Sequence, residues 1–241
     1  MTRQKFFVIL SVKYFTVKKG KSVTVTISNP TKERLLRILR ILEEPVNAVG
    51  DRAGRKYTSA ELAELTGWPS HTIRKDISSL KHGLVPGTAG TTSGYEPGTL
   101  VPLIKETLGL NRGRKFCVVG LGRLGSAYLN LGSQGPGTIA LGEFELAAGF
   151  DSNVNRVEIL KSPVPLYPAY KMREVIPQLG IEIALLCVPA EAAQGTAEKL
   201  AAAGIRGILN FAPVVLTVPM DIVIRNIYIR DELLALTIKM K

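Results

Sequence analysis

The chain has 241 residues, 46% of them hydrophobic, and a formal net charge of +11. This length and composition suit one large or two modest globular domains with real cores. No apolar stretch approaches the ~18 residues that a membrane-spanning helix needs, and the short apolar run at residues 6–12 is not followed by a signal-peptide cleavage site. We therefore expect no membrane partner.

The positive charge is concentrated in the N-terminal third. Residues 1–90 carry 16 Lys and Arg against 7 Asp and Glu, whereas residues 91–241 carry 15 against 13. A basic segment of this kind favours a polyanionic partner, because phosphates release their counterions when basic side chains bind them. Residues 1–28, with several lysines and one strand-like run, form an N-terminal extension of unclear structure.

The cysteines and histidines predict no metal or redox site. Cys117 and Cys187 each lie in an apolar run and have no Cys-x-x-Cys spacing. We interpret them as buried, reduced thiols of a cytoplasmic protein. Two histidines without neighbouring cysteines or clustered carboxylates do not form a metal site.

Residues 29–98 are predicted to form a winged helix-turn-helix domain. Helical periodicity predicts a first helix from Thr31 to Glu44. Thr58-Ser-Ala-Glu61 matches a capping box and predicts a short helix, Ala60 to Leu65, followed by a turn at Gly67. Pro69 suits the first turn of another helix that extends to about Leu80. Two short helices joined by a tight turn indicate helix-turn-helix.

The second of these helices presents the candidates for DNA contact. Ile73, Ile77 and Leu80 share one apolar face, which leaves polar side chains for the groove: Ser70, His71, Arg74, Lys75 and Ser78. The alternative is that Arg74 and Lys75 only solubilise an exposed face. Residues 83–98, rich in Gly, Thr, Ser and Pro, are predicted to be a wing and linker. Val101 to Leu110 is predicted to be a connecting helix within residues 99–114.

A nucleotide-binding domain is predicted over residues 115–224. The apolar run from Phe116 to Val119 is followed by Gly120, Gly122 and Gly125, which provide a tight turn, close backbone approach to a pyrophosphate, and close helix packing. The run Ala147 to Phe150 ends at Asp151, whose carboxylate is placed to bind ribose hydroxyls and repel a 2′-phosphate. Arg156 could instead bind a 2′-phosphate, but Asp151 favours NAD.

Later apolar runs complete an α/β pattern with a mostly parallel sheet. Strands are predicted at Ile181 to Val188 and Gly207 to Phe211, with a helix from Ala192 to Ala203 between them. Pro189, Glu191 and Asn210 to Pro213 follow the strand ends, where ligands bind in such sheets.

Binding without turnover is the favoured interpretation of this domain. It contains no histidine, which excludes a histidine-based dehydrogenase. Tyr167 and Lys171 have the spacing of a catalytic pair, but Pro168 argues against a regular helix there. Glu191 and Asn210 could polarise a substrate, yet no second acid-base partner is evident.

The chain resembles the Rex family of redox-sensing transcriptional repressors. The motifs that carry the resemblance are Ile73-Arg-Lys-Asp-Ile-Ser78, Val119-Gly-Leu-Gly-Arg-Leu-Gly125, Val188-Pro-Ala-Glu-Ala-Ala-Gln194 and Gly204-Ile-Arg-Gly-Ile-Leu-Asn-Phe-Ala-Pro-Val214.

The resemblance implies a homodimer with a winged helix, a Rossmann domain and an exchanged C-terminal helix, here Arg230 to Ile238 within residues 225–241. It also implies that palindromic operator DNA is bound by the free or NAD⁺-bound protein and that NADH releases it. The implied NAD(H)-binding residues are Gly120, Gly122, Arg123, Leu124, Gly125, Asp151, Val188, Pro189, Glu191, Asn210, Phe211, Ala212, Pro213 and Tyr95.

Two departures from the family pattern bear on the DNA contact and the switch. The wing reads Thr91-Thr-Ser-Gly-Tyr95, where the family has an arginine, so Thr91 takes the groove position. Near the C-terminus, Asn226-Ile-Tyr228 replaces a motif whose aspartate would link Tyr95 to Arg40. We therefore expect NADH to release DNA only weakly. The alternative is a DNA-binding regulator whose Rossmann domain binds a CoA-type nucleotide or serves only for dimerisation.

Overall fold

The computed structural model describes residues 27–43, 55–80, 94–130 and 141–240. The chain divides into two compact units, Met1–Leu108 and Gly109–Lys241. Most of the N-terminal extension, the predicted wing up to residue 93 and its Thr91 lie outside the described residues.

The described part of the first unit is helical. Its helices are α1 (Asn29–Glu43), α2 (Ser59–Thr66), α3 (Ser70–Ser79) and α4 (Pro97–Leu108). An isolated antiparallel bridge joins Tyr57 to Tyr95. Of the apolar positions that periodicity places on the inner faces of these helices, Leu35, Leu39, Ile73, Ile77 and Leu80 are buried, whereas Leu36 of α1 is 52% exposed.

The start of α2 confirms the predicted capping box. The Thr58 hydroxyl accepts a hydrogen bond from the Glu61 amide at 3.1 Å, and the Glu61 carboxylate accepts one from the Thr58 amide at 2.7 Å. These bonds satisfy helix-end donors that have no partner within the helix. Gly67 ends α2 in the left-handed region with φ 76°, which supplies the tight turn into α3.

The predicted bounds of the connecting helix are wrong at both ends. The helix begins at Pro97, because proline is compatible with a first helical turn, so the predicted linker ends before it. It ends at Leu108, because Gly109 takes a positive φ of 68°.

The second unit is built on a parallel six-stranded sheet in the order β3-β2-β1-β4-β5-β6. Its strands are β1 (Arg114–Val119), β2 (Phe144–Asp151), β3 (Leu166–Pro168), β4 (Ile181–Leu186), β5 (Gly207–Asn210) and β6 (Val223–Asn226). Its helices are α5 (Arg123–Tyr128), α6 (Val154–Ile159), α7 (Met172–Leu179), α8 (Ala190–Ala202) and α9 (Ile229–Lys239).

This topology confirms the predicted α/β class. The continuous apolar runs are buried on both faces of the sheet, as parallel strands require. Helices α7 and α8 cover one face through residues such as Val175, Ile176 and Leu200. None of the side chains of α9 is buried. Within the described part of the chain, no helix has both the length and the apolar character that a membrane crossing demands.

Candidate functional site

The glycine loop joins β1 to α5 at the carboxyl edge of the sheet. Gly120 has φ 89°, and a Cβ there would lie 2.7 Å from the Cys187 carbonyl oxygen. A Cβ on Gly125 would lie 1.8 Å from the Gly120 carbonyl oxygen. Gly122 differs from both, because its φ is −66° and a Cβ would meet nothing within 4 Å. Gly120 and Gly125 are therefore required by the fold itself, whereas Gly122 borders open space.

The carboxylate of Asp151 fixes this loop from the end of β2. Its side chain is 4% exposed and accepts hydrogen bonds from the Leu121 amide at 2.7 Å, the Asn153 amide at 2.7 Å and the Arg156 guanidinium at 3.0 Å. A carboxylate has about four acceptor positions, and the described residues fill three of those of Asp151. Asp151 thus positions the loop, and its contact with a ribose hydroxyl stays a prediction.

The remaining predicted ligand residues surround the same edge with differing exposure. Arg123 and Leu124 are exposed at the start of α5, and Pro189 and Glu191 are exposed where β4 leads into α8. Val188 is half-buried. Because the sheet is parallel, the loops after β1, β2, β4 and β5 all leave it at this edge, and the strand order reverses between β1 and β4.

Asn210 has a different role from the one that its position predicts. It is fully buried, and its Nδ2 donates to the Val214 carbonyl at 2.9 Å and to Asn226 Oδ1 at 3.0 Å. Its Oδ1 accepts from the Ala212 amide at 3.0 Å. The side-chain amide is therefore directed into the protein, and the expectation that it polarises a bound substrate is not supported.

The loop that Asn210 holds contains the other predicted residues of this strand end. Phe211 is half-buried, Ala212 is buried and Pro213 is exposed. At its end, the Tyr228 phenol donates a hydrogen bond of 2.7 Å to the Val214 carbonyl. Sequence reasoning missed this contact, because Val214 lies 14 residues before Tyr228 and no local pattern connects them.

The thiols have properties that oppose thiolate chemistry. Burial raises the pKa of Cys187 to about 12, and complete burial also raises the pKa of Cys117 strongly. No group of three or more potential metal ligands occurs among the described residues. Tyr167 lies in β3 and Lys171 in a 3₁₀ turn, so the two do not share a regular helix.

The candidate DNA-contacting side chains lie together on α3. His71, Arg74, Lys75 and Ser78 are exposed and recur with the spacing of one helical face, while Ser70 is half-buried. The opposite face is anchored by Ile73 and Ile77. This surface carries two cations and two small polar groups, which suits contact with phosphates and base edges.

A buried carboxylate anchors α3 to α1. Asp76 is 3% exposed and accepts hydrogen bonds from Arg34 Nε at 2.5 Å, Arg34 Nη2 at 2.9 Å and the Thr31 hydroxyl at 3.2 Å. These hydrogen bonds and the negative charge raise the pKa of Arg34, against the effect of its burial. The Asp76–Arg34 pair fixes the orientation of α3. The sequence feature that could have indicated this pair is Asp76 itself, the single acidic residue of the helix.

Tyr95 belongs to the first unit, whereas the other predicted nucleotide-binding residues belong to the second. Its side chain is buried, and this burial raises its pKa, with a smaller opposing effect from Arg74. Its backbone pairs with that of Tyr57 in an antiparallel bridge. Arg40 also belongs to the first unit and Tyr228 to the second, and the assignment of these three residues to the switch stays a prediction.

Comparison with known proteins gives consistent matches over most of the chain. The family model described as CoA binding domain matches residues 111–214. A protein of Thermus thermophilus described as redox-sensing transcriptional repressor Rex is 42% identical over 199 residues, covering 80% of this chain and 84% of the relative. The fold is similar to that of RSP, a Rex-family repressor.

Two crystal structures of RSP extend this comparison. The complex with β-NAD⁺ and operator DNA has a TM-score of 0.72 and 28% identity, covering 89% of this chain and 93% of RSP. The complex with β-NADH has the same TM-score and identity, covering 91% and 95%.

Proposed function

Because the chain belongs to the Rex family of redox-sensing transcriptional repressors, we propose that it represses transcription in response to the NADH/NAD⁺ ratio. Operator DNA binds to the exposed face of α3, and NAD(H) binds at the carboxyl edge of the sheet in the second unit. The observation that carries this proposal is the presence of both surfaces in one chain, a cationic helix face and a glycine loop open at Gly122.

The DNA interface uses the residues that α3 exposes. Arg74 suits bidentate contact with a guanine edge, and Lys75 suits a phosphate, while Ser70, His71 and Ser78 add shorter polar contacts. The Asp76–Arg34 pair holds the helix so that these side chains keep one direction. The positive charge of the N-terminal third adds attraction that does not depend on base sequence.

The nucleotide site uses the glycine loop and the adjoining strand ends. The open space at Gly122 permits a pyrophosphate to approach the backbone, and the exposed Arg123 adds positive charge beside it. Asp151 faces the ribose. We assign the redox signal to the nucleotide itself, without turnover, because the glycine loop provides a nucleotide site, and burial raises the pKa of both thiols, which disfavours thiolate formation. Two reduced cysteines and the DNA target agree with a cytoplasmic location.

The active form is a homodimer in which α9 packs on a second copy. Leu233, Leu234, Leu236 and Ile238 of α9 are 48–75% exposed, which is unusual for a helix with apolar residues around its surface. On the sheet face opposite α7 and α8 lies an open groove of about 690 Å³, lined by apolar side chains that include Phe116, Leu185, Leu209 and Phe211. Its lining also includes Arg225, whose charge suits Asp231 and Glu232 of α9, and Arg114 and Arg206, which form ion pairs with Glu182.

Sedimentation analysis tests the dimer. Leu233→Asp with Leu236→Asp should yield monomers, whereas Ile159→Asp, a control on α6 where the native side chain is 79% exposed, should remain dimeric. A native protein that is monomeric at micromolar concentration would contradict this assignment.

Operator binding at defined NADH concentrations tests the function. A DNA fragment selected from a random pool by the protein itself would be labelled, and its occupancy measured by fluorescence anisotropy at fixed NAD⁺. We expect NADH to lower operator affinity about fivefold, at the lower end of allosteric coupling, because Tyr228 provides no carboxylate for the family's switch contact. A protein that binds neither NADH nor NAD⁺, or selects no DNA, would contradict the proposal.

A CoA-type ligand is the second candidate, since the matching domain model is described as CoA binding. Calorimetric titration with NADH, NADPH and coenzyme A separates these ligands. Binding of coenzyme A with exclusion of NADH would replace the first candidate by the second.

A further inference from the structure

Two elements of the second unit share one hydrogen-bond acceptor. The carbonyl oxygen of Val214 accepts from Asn210 Nδ2 at 2.9 Å and from the Tyr228 hydroxyl at 2.7 Å. Val214 lies in the connection from β5 to β6, directly after the predicted nucleotide residues Phe211 to Pro213. Tyr228 is the residue directly before α9. The Phe211–Val214 segment is therefore hydrogen-bonded directly to the residue that precedes α9.

Both sides of this contact are fixed to their own elements. On the loop side, Asn210 binds Ala212, Val214 and Asn226, so the loop keeps a defined path between β5 and β6. On the helix side, the Tyr228 carbonyl accepts from the amides of Asp231 at 2.9 Å and Glu232 at 3.2 Å, the first turn of α9. A displacement of the loop changes the position that the phenol can hold, and with it the first turn.

The Val214 carbonyl accepts two hydrogen bonds, and the bond that stabilises the loop is not the one that connects the loop to α9. If the Tyr228 hydroxyl is removed, the Val214 carbonyl keeps its bond from Asn210, so no buried acceptor is left without a partner. The bond from Asn210 holds the loop, whereas the bond from Tyr228 links the loop to α9. We propose that Tyr228 is a positioning residue that couples the nucleotide state of the Phe211–Val214 loop to α9, through its hydroxyl and the Val214 carbonyl.

This inference rests on the proposed function and gives Tyr228, which the family resemblance places at the switch position, a contact that the sequence does not predict. The expected contact of this position was a carboxylate bridge to Arg40, which a phenol cannot form. The hydrogen bond to Val214 instead gives the phenol a partner within its own unit. Coupling at this position therefore needs a hydroxyl donor and no negative charge.

The test is a thermodynamic cycle with the Tyr228→Phe variant. The dissociation constant of NADH is measured by titration for the free protein and for the operator-bound protein, and the ratio of the two is the coupling factor. We expect a factor of about five for the native protein and less than two for Tyr228→Phe. NADH affinity of the free variant should stay within twofold of native, because the phenol does not line the glycine loop. Tyr170→Phe, at an exposed tyrosine of the 3₁₀ turn, is the matched control and should keep the native factor.

Hydrogen exchange of the Asp231 and Glu232 amides provides a second readout. NADH should change their exchange in the native protein and in Tyr170→Phe, but not in Tyr228→Phe. A native coupling factor in Tyr228→Phe, or NADH-dependent exchange that survives the substitution, would overturn the inference while leaving the proposed function intact. A native protein without coupling between NADH and operator would overturn the proposed function as well.

Discussion

Alanine substitutions of Gly122 and Gly125 in the glycine loop should show which of these glycines is needed for nucleotide binding and which is needed for folding. Gly122→Ala adds a Cβ that meets no protein atom within 4 Å, at a φ of −66° that alanine adopts readily. Replacing the glycine N-cap of α5 by alanine lowers the free energy of unfolding by about 1 kcal/mol. The smaller conformational freedom of alanine in the unfolded chain raises it by about 0.4–1 kcal/mol. Folding stability should therefore change by less than about 1 kcal/mol. The same methyl group obstructs the approach of a pyrophosphate, so NADH affinity should fall about a hundredfold, or about 2.8 kcal/mol.

Unlike Gly122→Ala, Gly125→Ala should reduce folding stability as well as NADH affinity. Its Cβ would lie 1.8 Å from the backbone oxygen of Gly120, and backbone atoms cannot move aside as a flexible side chain can. Overpacking of this kind costs about 3 kcal/mol or more, so this variant should lose stability together with binding. Gly195→Ala in α8, where a Cβ again meets nothing, is the control that should retain NADH binding and gain up to about 1 kcal/mol.

For all three variants, calorimetric titration with NADH measures the affinity for the nucleotide. Urea unfolding measures the free energy of unfolding. Native NADH affinity in Gly122→Ala would refute the reasoning, because it would mean that the phosphates do not pass over this residue. A stable, well-folded Gly125→Ala would refute the geometry of the loop.

Four further outcomes follow from contacts described above. Arg74→Ala should relax base discrimination by about 1–3 kcal/mol, whereas Lys75→Ala should weaken binding uniformly and reduce the salt slope by about 1, which binding competition at several salt concentrations would measure. Asp76→Asn removes one partner of a buried ion pair and should cost about 3 kcal/mol in urea unfolding, with a loss below 1 kcal/mol contradicting the anchoring role. Hydrogen bonds from the amide and hydroxyl of Thr58 lower the pKa of Glu61 below its ordinary value of 4.5, so the capping contribution is present above that pH and is lost as the pH falls through the lowered pKa; Glu61→Gln should remove this part of the acid dependence of stability, whereas Thr58→Ala, which keeps the backbone amide, should remove only the share of the hydroxyl. Because Cys117 is fully buried and the pKa of the half-buried Cys187 is raised to about 12, neither thiol should react with an alkylating reagent at pH 8 until the protein is unfolded, and native-state labelling read by mass spectrometry would contradict this expectation.

The elements that could be predicted from the sequence are those with strong local signals. Neighbouring residues alone define the start of α2 at its capping box, the end of α2 at Gly67, and the continuous apolar strand β1. Strands β3 and β6 were not predicted, because they have three and four residues and lie at the edges of the sheet, where burial imposes little pattern. Their positions depend on pairing with β2 and β5, which are distant in sequence.

Side-chain roles within the site were harder to predict than its location. Asp151 and Asn210 are the last residues of the parallel strands β2 and β5, so both lie at the carboxyl edge of the sheet, where the sequence predicts the nucleotide. Whether each side chain faces a ligand or the protein depends on partners such as Leu121, 30 residues from Asp151, and Asn226, 16 residues from Asn210. Sequence spacing does not reveal such partners, so both residues were first interpreted only as ligand contacts.

The shared acceptor at Val214 has a consequence for how this regulator can change over generations. A tyrosine that can become phenylalanine without exposing a buried carbonyl can be altered by a single nucleotide change in its codon at little risk to folding. The strength of the metabolic response can then vary from lineage to lineage while the scaffold stays constant. Asn210 offers no such freedom, since its replacement would leave several groups unpartnered at once. Selection on sensitivity should therefore act at Tyr228, and selection on structural integrity at Asn210.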